Sequence, residues 1–174
     1  MSQNNHTIGI PVDKPEYKRA FILLHLICTE INTIRLQQSR IEQEKEVGDL
    51  AILFADIHFL FVTVGNLRKL LKAMNELLSG DIDFKLICDT YLPDIDKIGL
   101  IRNHLEHILD GRLDGFGHKG APLAEPNMFG NLFGDEYNFG GDKVNLKETF
   151  EMINSLETDL KGWNSKVLIY PLWY

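Results

Sequence analysis

The sequence predicts an all-α protein, an antiparallel helical bundle of four to five helices with a small β-hairpin inserted before the last. Apolar residues recur at steps of three and four through most of the chain, the spacing of one helix face. Cap and stop signals divide that pattern into long segments joined by short turns, which implies antiparallel neighbours. Turn chemistry is concentrated in one stretch: residues 111–144 hold eight of the fourteen glycines, so the rest of the chain is free to be helical.

The first twelve residues, 1–12, read as a loose N-terminal arm. Asp13 is placed to cap the first helix, with Pro15 in its first turn and Glu16 at capping-box spacing. Ala20, Leu24, Ile27, Cys28, Ile31 and Ile34 form its apolar stripe, and the polar stretch Gln37 to Glu46 is expected to continue it as an exposed rod. Gly48 supplies a left-handed stop and Asp49 a cap for the next helix. That helix, from about Leu50 to Leu78, is apolar on nearly every side over Ala51 to Gly65. It is therefore expected to be the most buried helix rather than a membrane span. A short helix is expected from Asp83 to Tyr91, with Pro93 breaking it and starting another that runs to Asp110.

Gly134-Asp135 and Gly140-Gly141-Asp142 are turn signals, and they predict a hairpin around residues 128–144 within a long glycine- and aromatic-rich loop at 111–144. Asn145 is placed to cap the last helix, which turns Phe150, Ile153, Leu156, Leu160 and Trp163 inward. The tail from Val167 to Tyr174 is apolar and aromatic and is expected to dock on the bundle or on a partner subunit. The whole chain, 1–174, is of a length suited to one domain.

Composition narrows the function. An apolar fraction of 44% excludes a disordered chain. Lys and Arg total 18 against 25 Asp and Glu, a net charge of -7, which argues against nonspecific binding to a nucleic-acid backbone and leaves room for a local basic cleft. The two cysteines, Cys28 and Cys88, sit in apolar runs and read as buried thiols, which makes a reducing cytoplasm the default location. Phosphate-binding glycine loops, zinc-type cysteine pairs and serine or cysteine nucleophile motifs are absent from the sequence, so no cofactor is expected.

One cluster carries specific chemistry: Arg102, Asn103, His104, Glu106 and His107. On a helix at about 100° per residue, Ile98, Ile101, Leu105, Ile108 and Leu109 share one apolar side. Arg102 falls at one edge of it and His104 near the other, while Asn103, Glu106 and His107 point away. Arg102 and His107 are roughly 140° apart, so a single helix does not bring them together easily, and a cleft completed by a second subunit would. The plainest alternative is an Arg102–Glu106 surface ion pair worth about 0.3–0.5 kcal/mol with two solvated histidines. A metal site from His104, His107 and Asp110, joined by His58 or His118, is a further alternative. Against it, the chain lacks the paired Glu-x-x-His helices of a di-iron bundle. Asp56 and His58 are unexpected in so apolar a helix, and they are candidates either for satisfied core groups or for the lining of the same cleft.

The run Arg102, Asn103 and His107, late in a helical bundle, resembles the R-x4-6-H motif of the HEPN superfamily. Together with Gly130-Asn131-Leu132 and Phe139-Gly140-Gly141 it is similar to uncharacterised bacterial helical proteins with an Arg-Asn-x-x-Glu-His run. The resemblance covers most of the chain. It implies a metal-independent endoribonuclease, as in toxins and defence effectors, that cuts RNA by attack of the ribose 2′-hydroxyl. Two protomers would share a cleft in which His107 moves the proton, Arg102 holds the phosphate and Asn103 orients the pair, with His104 and Glu106 as binding residues. RNA is then the implied substrate, a second copy and an antitoxin or other protein the implied partners, and no membrane is involved. Some toxins of the superfamily carry a modified tyrosine two places after the histidine; Leu109 stands there in this chain, so that control is not expected. Many members of the superfamily have lost catalysis, so a noncatalytic interaction or dimerisation domain is the alternative.

Overall fold

The computed structural model describes residues 15–106, 131–139 and 141–167. Among these, the protein is mainly helical, with four helices and a three-stranded antiparallel sheet before the last helix. The N-terminal arm, the cap expected at Asp13, residues 107–130 and the apolar tail beyond Val167 lie outside the described residues.

Helix α1 spans Pro15–Val47, and all six apolar stripe residues predicted for it are buried. Its far end is not the exposed rod that composition suggests, because Gln37 and Ile41 are buried as well. There Lys45 reaches Asp135 at 2.6 Å, and Ile41 and Phe150 line a common depression, so α1 is covered by the sheet turn and the last helix. Gly48 takes φ 84° and ends the helix. Asp49 then opens α2, Leu50–Leu77, by accepting from the backbone N–H groups of Ala51 and Ile52 at 3.1 and 3.2 Å. Leu53, Ile57, Leu60, Phe61, Val64, Leu67, Leu71 and Met74 are buried along α2, which packs between α1 and α3. By length and composition this helix is apolar enough to cross a bilayer, with a mean hydropathy of 1.8 over its most apolar window, and 50% of that window is buried by protein in this fold.

Helix α3 runs unbroken over Ile82–Glu106, with Pro93 inside it. This corrects the expected break. The buried stripe Phe84, Ile87, Cys88, Tyr91, Ile95, Ile98 and Ile101 keeps one helical phase across the proline, so packing of both halves on one face outweighs the lost backbone hydrogen bond. Asp81 caps α3 by accepting from the Phe84 N–H at 2.9 Å, and its other oxygen accepts from Trp163 Nε1 at 2.9 Å.

The expected hairpin is a three-stranded meander: β1 Asn131–Phe133, β2 Glu136–Phe139 and β3 Asp142–Asn145. The two turn signals make two reversals, with Gly134 at φ 61° and Gly141 at φ 97°, and two reversals require three strands. Buried Tyr137 fixes the sheet to α2, its ring 5.2 Å from Phe61 and 6.3 Å from Phe54. Asn145 ends β3 and also caps α4, Leu146–Val167, by accepting from the Glu148 N–H at 3.0 Å. The predicted inward residues of α4 are all buried, and its polar pins reach α1 through Arg35 to Glu157 and α3 through Tyr91 to Asp159 at 2.7 Å.

Candidate functional site

Arg102 stands one turn from the end of α3 as described, half-buried beside the core residues Ile98 and Ile101, as the helical wheel predicts. What fixes it is Gly65 of α2. A Cβ placed on Gly65 would lie 2.6 Å from Arg102 Cδ, 3.1 Å from Nε and 3.6 Å from Cζ. Real side chains do not approach so closely, so the arginine lies across the helix backbone in a slot that only glycine leaves open. Its Nε is sealed from solvent there.

A second contact echoes the first with looser packing. On α3, a Cβ on Gly99 would lie 3.9 Å from Arg68 Cδ, an ordinary contact. The two helices therefore carry the same short pattern, Gly65-x-x-Arg68 and Gly99-x-x-Arg102, and each arginine runs toward the other helix's glycine. Arg68 pairs through Nε with Asp96, and Lys72 donates to both oxygens of Asp96 at 3.1 and 3.2 Å. Partial burial pushes the Asp96 carboxyl up, but the hydrogen bonds and charges of Arg68 and Lys72 outweigh this and hold it below its ordinary value. The seam between α2 and α3 thus carries Arg68 and Lys72 on one carboxylate and Arg102 over Gly65, in a protein of net charge -7.

The remaining motif residues are only partly placed. Asn103, His104 and Glu106 continue α3 as helix, and His107 lies outside the described residues. Asp110 and His118, named in the metal alternative, also lie outside them; among the described residues no group of three His, Cys, Asp or Glu side chains is placed to hold a metal ion. Asp56 does not join the seam. It is buried facing α1, where Arg40 Nε donates to it at 3.0 Å. His58, half-buried, stands seven residues before Gly65 and so shares the α3-facing side of α2. Cys28 and Cys88 are buried free thiols, and burial pushes them up to about 11 and about 12, which keeps them from acting as thiolates near neutral pH.

Sequence reading passed over Gly65, Arg68, Lys72 and Asp96. A signal for them exists: Gly-x-x-Arg occurs once on each of two neighbouring helices, and a glycine inside an otherwise strong helix often marks a close approach. Comparison with models of protein families, with curated proteins and with solved structures gives no significant match to this chain, so the reading of the seam rests on its own residues.

Proposed function

We propose that this protein is a metal-independent endoribonuclease of the HEPN type, a toxin or defence effector acting in the cytoplasm. Its support is the motif Arg102-Asn103-x-x-x-His107 together with the seat of Arg102 on Gly65. A guanidinium wedged against a helix backbone is already ordered, which suits a group that must hold a phosphate and stabilise developing charge. His107 acts as general base or acid on the 2′-hydroxyl or the leaving oxygen, for which an imidazole of ordinary pKa near 6.5 is suited. Asn103 orients the pair, and His104 and Glu106 contact the substrate.

The proposal includes a homodimer. On α1, Ile22, Leu26, Thr29, Thr33 and Leu36 follow steps of four and three, the spacing of a helix–helix seam. Ile22, Leu26 and Leu36 are exposed, and the two threonine hydroxyls donate to carbonyls one turn back, at 3.0 and 2.9 Å. The α1 face is thus partly apolar and open, and Ile52 and Phe59 on α2 are exposed as well. A second copy would cover the α1 face. The same face supports the second reading, a noncatalytic interaction domain that dimerises or holds an antitoxin or other protein.

Purified protein is expected to cleave single-stranded RNA in EDTA, to leave 2′,3′-cyclic phosphate ends, and to spare RNA that lacks the 2′-hydroxyl. A preparation that is folded by circular dichroism and dimeric by light scattering, yet cleaves no RNA, decides for the interaction domain.

A further inference from the structure

The strongest unassigned feature is the pair Arg68 and Lys72. Over Leu50–Leu77 the acidic residues are Asp56, sealed against Arg40, and Glu76; the cations are Arg68, Lys69 and Lys72. Arg68 and Lys72 converge on one anionic group, the Asp96 carboxylate, and all three side chains stay open to solvent at 37%, 40% and 42%. Two cations of unlike geometry meeting at one oxyanion is an arrangement that also fits a phosphate. It lies along the same α2–α3 seam as Arg102. Gly65, under the Arg102 guanidinium, and Arg68 are three residues apart on α2, about 4.5 Å of helix rise.

We infer that Arg68 and Lys72 form a second phosphate position, so that an RNA strand lies along the α2–α3 seam with one phosphate at Arg102 and a neighbouring one at Arg68 and Lys72. This rests on the ribonuclease reading and adds the track of the substrate to it. Asp96 is the internal carboxylate that orders the two cations before RNA arrives and competes with the phosphate for them. Only one donor of Arg68, its Nε, goes to Asp96. A guanidinium has five donors, so the same side chain can serve the carboxylate and a phosphate together. Lys97 is the natural control. It pairs with Asp94 at 2.7 Å and, with Lys143 and Glu148, borders a depression between α3, the sheet and α4, away from the seam.

The test uses the full chain and single-stranded RNA carrying 2′-O-methyl groups, which cannot be cut by 2′-hydroxyl attack. Binding is measured across salt for wild type, Arg68→Gln with Lys72→Gln, Asp96→Asn, and Lys97→Gln. The double variant is expected to bind about tenfold more weakly, with a salt slope smaller by about 0.7, the value for one lost phosphate on a single strand. Asp96→Asn is expected to bind more tightly and Lys97→Gln as wild type. If wild type binds and the double variant matches it in affinity and slope, this inference is overturned and the ribonuclease reading stands. The same holds if Lys97→Gln weakens binding as much as the double variant. If wild type binds no RNA at any salt concentration, both fall.

Discussion

On its α1 side, α2 buries Asp56, 3% exposed, against a single arginine, Arg40. On its α3 side, Arg68 and Lys72 gather around Asp96, which is 42% exposed. Each seam contains a carboxylate held by basic side chains, but the surroundings differ. Asp56 lies among Leu53, Ile57 and Leu60 with water kept out, so its partner offsets a desolvation cost and its role is structural. The other seam is lined by glycines at 65 and 99, stays open, and holds more cations than one carboxylate neutralises. Burial with a single partner marks a group that holds the fold; accessible convergent charge beside a glycine slot marks one available to a ligand.

The sharpest way to break this contrast is at the motif. Arg102→Ala and His107→Ala are each expected to lower RNA cleavage by a factor of about 100 to 10,000 while the chain stays folded, with some stability lost at Arg102 because its stem packs on Gly65. If the loss of activity at Arg102 tracks a loss of fold seen by circular dichroism, the α3 seam is structural after all. Gly65→Ala tests the slot itself. The added methyl forces Arg102 aside, so cleavage is expected to drop about 10- to 100-fold. Helix propensity gains up to about 1 kcal/mol, which offsets the crowding and leaves stability within about 1 kcal/mol of wild type. Gly99→Ala meets only an ordinary contact and is expected to keep full activity, so equal effects at the two glycines would remove the distinction between them.

On the α1 side the expected pattern reverses. Arg40→Ala strands the buried Asp56 carboxylate and is expected to destabilise the fold by about 2 kcal/mol in denaturant melts. That is below the roughly 3–5 of a wholly buried pair because Arg40 is 52% exposed, and the activity per folded molecule should not change. The smallest effect concerns Asp96. Its carboxyl is held low by Arg68 and Lys72, so folding gains from it above the unfolded carboxyl range, and that gain disappears as pH falls through its lowered value. Exposure of all three groups keeps the gain small. Melting temperatures below about pH 4 should therefore fall slightly less steeply in Asp96→Asn than in wild type. Identical acid limbs would place the carboxylate outside the cation cluster.

The α1 stripe, the stop at Gly48, the caps at Asp49 and Asn145 and the inward face of α4 were legible because each depends on neighbours in sequence: periodicity, a positive φ, a side chain three residues from its N–H. The edge position of Arg102 was legible for the same reason. Tertiary packing decided the rest. Pro93 stays within α3 because the core holds both halves of its stripe in one phase, which no local rule at a proline reports. Gln37 and Ile41 are buried because the sheet and α4 return to cover them. The third strand follows from counting two turns rather than one. The seam itself, with Arg102 over Gly65 and Arg68 and Lys72 on Asp96, joins residues 24 to 37 positions apart, and such pairings are set by which helix faces the core brings together. The sequence alone specified α1, α2 and α4 and the residue types offered late in α3; the antiparallel fit of α2 against α3 decided which glycine lies under which arginine, because close approach between helices depends on the small residues at the crossing and not on the periodicity of either helix.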